Sequence, residues 1–211
     1  MTARILKANT QDSLQTAIQD AALVIQGGGV VALPTESFYG LAVHAMDAKA
    51  IERLFAVKQR REDNPVLILI PSKQNLESYV VEVSDRARKL VERFWPGGLT
   101  LVLFANPSLP RSLTAGTGKI GVRLSSHPVP TALAKAVGAP ITGTSANRSG
   151  QSSCSTAEEV MEAVGKDIDL ILDGGKTPGG KGSTVLDVTL DPPMILREGM
   201  LSRDELSPFL S

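Results

Sequence analysis

Cysteine is nearly absent from this sequence: Cys154 stands alone among 211 residues. A single thiol closes no internal disulfide, and two histidines beside it leave no zinc-ligand arithmetic to do. Aromatic residues make up only 4%, too few for a platform that stacks successive single-stranded bases. An excess of either charge is missing as well, since 22 Lys and Arg face 22 Asp and Glu. That balance lacks the electrostatic footprint of a protein that grips nucleic acid with its whole surface. No apolar run reaches the ~18 residues of a membrane span, and the opening Met-Thr-Ala-Arg-Ile-Leu-Lys has no signal-peptide core. The expectation is a cytoplasmic protein with no membrane partner.

What is present reads as one globular domain over residues 1–211. The chain is 42% hydrophobic and 21% charged, near the globular average. Its length suits one large domain, and no linker, repeat or long charge block divides it. Helical and strand periods alternate, which implies an α/β fold. Leu14, Ala17, Ile18, Ala21, Ala22 and Ile25 recur at helical spacing between Thr10 as cap and Gly27-Gly28-Gly29 as stop. A helix from Asp47 carries Ala50, Ile51, Leu54 and Phe55, and Ser84 caps one burying Ala87, Leu90, Val91 and Phe94. Residues 128–137 form a short helix, and Ser155 with Glu158 predicts a capping box. Strands are expected at 30–33, 66–70, 99–104, 120–124, 140–144, 170–172, 184–189 and 194–197. Residues 106–119, rich in Pro, Gly, Ser and Thr, read as a loop. Several adjacent strands have no helix between them long enough for a parallel crossover, so the sheet should be mixed.

Three apparent motifs weaken on context. Gly143-Thr144-Ser145-Ala146-Asn147 misses a nucleophile elbow by its last residue, and both His44 and His127 precede the serine. Gly175 to Lys181 has P-loop spacing, but Gly182 stands where a hydroxyl belongs and a strand follows instead of a helix. A flexible glycine-rich flap suits that segment better. Cys154 has no histidine near it in sequence and reads as inert, the two histidines as packing or surface residues, and Trp95 as core or a lid on Pro96-Gly97-Gly98.

The cationic residues carry more. Lys49, Arg53, Lys58, Arg60 and Arg61 face one acid, Glu52, and a solvated helix end explains them as well as a site does. Lys58 and Arg60 nevertheless fall where the helix gives way to Asn64-Pro65 and a strand, a place to point positive groups into a crevice at a sheet edge. Arg123 and Arg197 each close an apolar strand, where an arginine must either snorkel to water or meet an anion. Cations at element ends beside Ser- and Thr-rich loops suit a polyphosphate, and spacing alone points to a nucleotide-binding α/β enzyme.

Seven short segments then resemble one family in order. Pro34-Thr35-Glu36-Ser37-Phe38-Tyr39-Gly40-Leu41 resembles its P-T-E-T-x-Y-G-L motif, Lys58-Gln59-Arg60 with Asn64-Pro65 its K-x-R…N-P-L segment, and Ser145-Ala146-Asn147 its S-x-N element. Trp95 to Thr100, Gly121-Val122-Arg123, Ser183-Thr184-Val185 and Leu196 to Gly199 follow in the same order. The family is that of the YrdC-like proteins, in its short form, and the likeness runs from about Val30 to Gly199. It implies a twisted mixed β-sheet flanked by helices around a deep cationic cavity. It also implies a nucleotidyltransferase that joins ATP, L-threonine and bicarbonate into threonylcarbamoyl-adenylate, with release of pyrophosphate, for tRNA modification.

Carried over residue by residue, the resemblance implies that Thr35, Arg123 and Ser183 meet threonine. Lys58, Arg60, Asn64, Ser145, Asn147, Ser153 and Arg197 would hold the nucleotide, with Lys58, Arg60, Ser145 and Asn147 closest to the chemistry. Magnesium would arrive with ATP, with no dedicated protein ligands. Further implied partners are tRNA or double-stranded RNA and the tRNA-modification proteins that accept the adenylate. Ser37 replaces a usual threonine, Arg61 a common proline, Lys119 a hydroxyl some members offer to ATP, and Leu69 a threonine-binding histidine of some members. These departures leave open an RNA-binding paralogue without the activity.

Overall fold

The computed structural model describes residues 2–59 and 65–210. Ten strands form one sheet: β1 (Arg4–Lys7), β2 (Val31–Pro34), β3 (Tyr39–Ala42), β4 (Leu67–Leu69), β5 (Leu99–Phe104), β6 (Lys119–Arg123), β7 (Ile141–Ser145), β8 (Leu170–Asp173), β9 (Thr184–Asp187) and β10 (Met194–Arg197). Their order is β1-β8-β2-β3-β7-β4-β6-β5-β9-β10. The sheet is mixed, as expected. β2 and β3 run antiparallel across a short turn, as do β9 and β10, while β1 and β8, β8 and β2, β4 and β6, and β5 and β9 are parallel pairs.

The helices around it are α1 (Gln11–Gln26), α2 (Ala48–Lys58), α3 (Leu76–Tyr79), α4 (Asp85–Phe94), α5 (Arg111–Thr114), α6 (Pro128–Val137), α7 (Ala157–Val164) and α8 (Arg203–Leu206). Side-chain caps start the longer ones. Thr10 accepts from the Ser13 N–H, Asp47 from Lys49 and Ala50, and Ser84 from Ala87, each satisfying donors that a helix N-terminus leaves open. Period-2 alternation then divides the apolar residues between two clusters. Ala32 of β2 joins the larger, with Leu54 and Leu90, whereas Val31 and Leu33 join the smaller, with Ile18 and Leu133.

Four expectations need correction. The sequence reading places no strand at β1 or β3, because β1 is short and mostly exposed, and β3 lies inside the segment quoted for its P-T-E-T-x-Y-G-L resemblance. The capping residue of α7 is Thr156, which accepts from the Glu159 N–H. Ser155 instead donates its own N–H to the Glu159 carboxylate, so the predicted box is shifted by one residue. The loop 106–119 contains the one-turn helix α5, which packs Leu113 into the core. Finally, Lys58 does not sit at a sheet edge: it lies under the end of β7, in the middle of the strand order.

Candidate active site

Side chains at alternate positions of the central strands open onto one cavity of about 680 Å3. Leu67 and Leu69 of β4, Thr100 and Val102 of β5, Lys119, Gly121 and Arg123 of β6, and Val185 and Asp187 of β9 line it. Their intervening neighbours Ile68, Leu101, Ile120, Val122 and Leu186 point into the larger apolar cluster. The turn between β2 and β3, the end of β7, and residues 181–183 before β9 complete the wall.

The structure brings most of the expected residues together here. Thr35, Arg123, Ser145, Ser153, Ser183 and Arg197 all line the cavity. Thr35 closes its turn by donating its hydroxyl to the Phe38 carbonyl at 2.6 Å and accepting the Ser37 N–H at 3.3 Å. Ser183 is buried and shares a hydroxyl–hydroxyl bond of 2.8 Å with Thr100. Arg197 donates to the Ser183 carbonyl at 2.9 Å and to its hydroxyl at 3.2 Å. A bulge in β10 skips Leu196, which has no partner on β9, and such an extra residue re-aims the side chains around it. Both Leu196 and Arg197 thereby reach the cavity. Burial first, and then the neighbouring Arg123 cation, lower the pKa of Arg197 from its usual value.

Lys58 and Asn147 lie behind this lining. Lys58 is 2% exposed, and its ammonium donates to the Ser145 carbonyl at 2.6 Å and the Asn147 carbonyl at 2.8 Å. The Asn147 amide donates to the Arg148 and Gln151 carbonyls, while its buried Oδ1 has no hydrogen-bond partner among the described residues. Arg60, Arg61 and Asn64 lie outside the described residues.

Two carboxylates that sequence reasoning left without a role complete the electrostatics. Glu36 forms an ion pair with Arg123, whose Nε also donates to the Gly97 carbonyl. Burial pushes the Glu36 carboxyl up, but Arg123, with hydrogen bonds from its own backbone, Ser125 and Ser126, outweighs it and holds the carboxyl below its ordinary range. Asp187 pairs with Lys119 at 2.9 Å. The lining thus carries Lys119, Arg123, Lys181 and Arg197 against Glu36, Asp187 and Glu198, with two of the four cations already matched. Glu36 lay inside a quoted motif, but nothing in its spacing announced a partner 87 residues away on another strand.

The groups outside this set are structural. The Cys154 thiol is buried and donates to the Ala146 carbonyl; burial and then Glu159 raise its pKa, the opposite of an activated nucleophile. His127 caps α6 through Nδ1, and burial lowers its pKa against a smaller opposing effect of Glu36. Trp95 is buried, with its indole N–H on the Leu99 carbonyl. The glycine-rich segment 174–182 carries left-handed glycines at 175, 179 and 180 and is tied down at Thr177 and Gly179 by bonds to the Ser155 and Ser37 carbonyls. Among the described residues no group of three or more His, Cys, Asp and Glu could hold a metal, and no helix is long and apolar enough to cross a membrane.

Known proteins resemble this chain in sequence and fold. A threonylcarbamoyl-AMP synthase of Pyrococcus abyssi is 42% identical over 189 residues, covering 90% of this chain and 56% of that protein. The chain therefore spans about half the length of that relative. P. abyssi Sua5 complexed with L-threonine superposes with a TM-score of 0.93 at 38% identity, over 99% of this chain and 61% of that one. E. coli YciO gives a TM-score of 0.88 at 30% identity, over 99% of this chain and 100% of that one. The Sua5/YciO/YrdC family model, described as telomere recombination, matches residues 23–199. With that match reaching from α1 to just beyond β10, the chain belongs to the Sua5/YciO/YrdC family.

Proposed function

We propose that this chain is an L-threonylcarbamoyladenylate synthase. The observation that carries the reading is one cavity into which Arg123 and Arg197 emerge beside the hydroxyls of Thr35, Ser145, Ser153 and Ser183. Its volume of about 680 Å3 lies within the ~300–1,000 Å3 usual for small-molecule sites. Cations and hydroxyls in such a space suit a nucleotide together with an amino acid. The P. abyssi relative is described as complexed with L-threonine, which supports that amino acid as the second substrate.

In this reading Thr35, Arg123 and Ser183 receive threonine. Ser145, Ser153 and Arg197 receive the nucleotide, with Arg60 and Asn64 supplying further contacts. Lys58 and Asn147 shape the β7 wall, and Lys58 lends it positive charge. Bicarbonate takes up a proton and loses water to give carbon dioxide, which threonine's amine captures; the amine returns a proton to water and becomes a carbamate. A carbamate oxygen attacks the α-phosphorus of ATP, and the bond from that phosphorus to the bridging oxygen breaks. Pyrophosphate leaves with the electron pair. No protein nucleophile is required, so the residues contribute by positioning and by stabilising charge in a dry site. Magnesium enters as part of the ATP substrate, held by phosphate oxygens and water.

The adenylate would be passed to proteins that modify tRNA, a role that suits a cytoplasmic protein. The test uses radiolabelled bicarbonate with threonine and ATP. Threonine-dependent pyrophosphate release with a labelled adenylate is expected. A protein that binds RNA and releases no pyrophosphate would instead be a paralogous binding module.

A further inference from the structure

The two arginines of the cavity stand in opposite electrical company. Arg197 bonds only to neutral oxygens of Ser183, and no carboxylate lies within ion-pair distance of it among the described residues. Arg123 is 6% exposed and is paired through Nη2 with Glu36. That carboxylate is itself fixed in place: Oε2 accepts the Ser125 hydroxyl at 2.7 Å, and Oε1 accepts the Ser126 N–H at 3.0 Å and hydroxyl at 3.1 Å. Glu36 therefore cannot swing away from the guanidinium without leaving three donors behind.

Such a pair has two consequences for an incoming anion. A guanidinium offers its donors in one rigid plane; the Nε bond to Gly97 sets that plane before any ligand arrives, with Nη2 in ion-pair contact with Glu36 though outside hydrogen-bond geometry. The pair is also neutral overall. A carboxylate with one negative charge can add to the remaining Nη1 donors, while a triphosphate carrying several charges is repelled by Glu36. Arg197 and Lys181, which form no ion pair with an acid among the described residues, retain their attraction for polyphosphate. We propose that Glu36 is a positioning residue that reserves Arg123 for a singly charged carboxylate and leaves the polyphosphate to the Arg197 side. This rests on the synthase reading above and goes beyond it by naming what separates the two anionic substrates.

Calorimetric titration of the full chain with L-threonine and with inorganic pyrophosphate, each alone and in competition, tests this. Glu36→Gln should weaken threonine binding on the order of tenfold, the scale seen when an orienting partner of a ligand-binding group is removed. Pyrophosphate should then compete with threonine, whereas in the wild type the two should bind without competing. In turnover, the KM for threonine should rise while the KM for ATP stays level, a split that general loosening of the fold does not produce. Glu36→Asp keeps the charge and should recover part of the threonine affinity. If Glu36→Gln fails to fold, Ser125→Ala, which removes one anchor of the carboxylate, should give the same split at smaller amplitude. Unchanged threonine affinity in Glu36→Gln, or equal losses in the Gln and Asp variants, overturns the proposal. A wild-type protein that binds no threonine at all removes the synthase reading itself.

Discussion

The Lys58 ammonium lies 2.6 Å from the carbonyl oxygen of Ser145, so the last residue of α2 is bonded to the last residue of β7. A second bond of 2.8 Å reaches the Asn147 carbonyl. The cation sits at the C-terminus of its own helix, where the negative end of the helix dipole favours it, and Gln59 in the left-handed region turns the chain away immediately after it. One buried lysine thus joins the wall of the cavity to the scaffold behind it.

Lys58→Met should therefore lose activity and stability together. The methionine fills the space but leaves the buried Asn147 carbonyl without its donor, at about 1–3 kcal/mol, and the Ser145 carbonyl with only the Asn147 N–H. Urea unfolding is the check. An unchanged midpoint would mean that the lysine acts only through its charge toward the ligand.

Helix caps and core periodicity were legible in the sequence because both are local. Thr10, Asp47 and Ser84 cap the helices where the spacing put them, and Ile18, Leu54 and Leu90 are buried as their period requires. Thr35, Arg123, Ser145, Ser153, Ser183 and Arg197 were also singled out, and the sheet brings them to one cavity. Pairings across the sheet were not legible. Asp187 meets Lys119 only because β5 lies between β6 and β9, Glu36 meets Arg123 only because the β2–β3 turn reaches the end of β6, and Lys58 turned inward because two carbonyls awaited it under β7. No periodicity encodes which strand lies beside which.

Gly199→Ala should destabilise the fold and displace Ser183. An added Cβ would lie 2.2 Å from the Gly182 carbonyl oxygen and 2.6 Å from the Ser183 carbonyl carbon, and both are backbone atoms that cannot rotate aside. Overpacking of this kind costs about 1–3 kcal/mol. Thermal unfolding reads the first effect and the KM for threonine the second. A melting point equal to the wild type would show that residues 182–183 yield freely.

Acid should destabilise the protein partly through Asp187. Burial raises its carboxyl pKa, but the Thr189 hydroxyl, Lys119 and the Thr189 N–H together bring it below the ordinary value. A depressed native pKa adds stability that is fully present above the unfolded value of about 3.9 and is lost as pH falls through the native one. Asp187→Asn should be less stable than the wild type at pH 7 and lose less on acidification. Denaturant melts between pH 7 and pH 3 that run parallel for the two proteins would contradict this.

Hydrogen exchange should divide the glycine-rich segment in two. The amides of Thr177 and Gly179 bond to the Ser155 and Ser37 carbonyls, and the Tyr39 hydroxyl bridges the Gly174 N–H and the Gly175 carbonyl. Those of Gly180, Lys181 and Gly182 have no acceptor among the described residues. The first group should be protected without ligand, and the second only when ATP and threonine bind and Lys181 closes on the phosphates. Exchange at 180–182 that saturating ligands leave untouched would remove the closing motion.

Arg123→Lys should impair threonine recognition far more than ATP affinity. The guanidinium is oriented by the Gly97 carbonyl through Nε and by Glu36 through Nη2, and it lines the cavity at the end of β6. A lysine ammonium can keep one of these partners, but it has no plane to align with a carboxylate and no separate Nη1 arm to offer it. Losing one charged hydrogen bond in the site should weaken threonine binding by about 1–3 kcal/mol. Arg197, held by Ser183, is unaltered by the change and should preserve nucleotide binding. Calorimetric titration of wild type and variant with each substrate separately decides the matter. If ATP binding collapses while threonine binding holds, Arg123 belongs to the nucleotide, and the two ends of the cavity exchange their occupants.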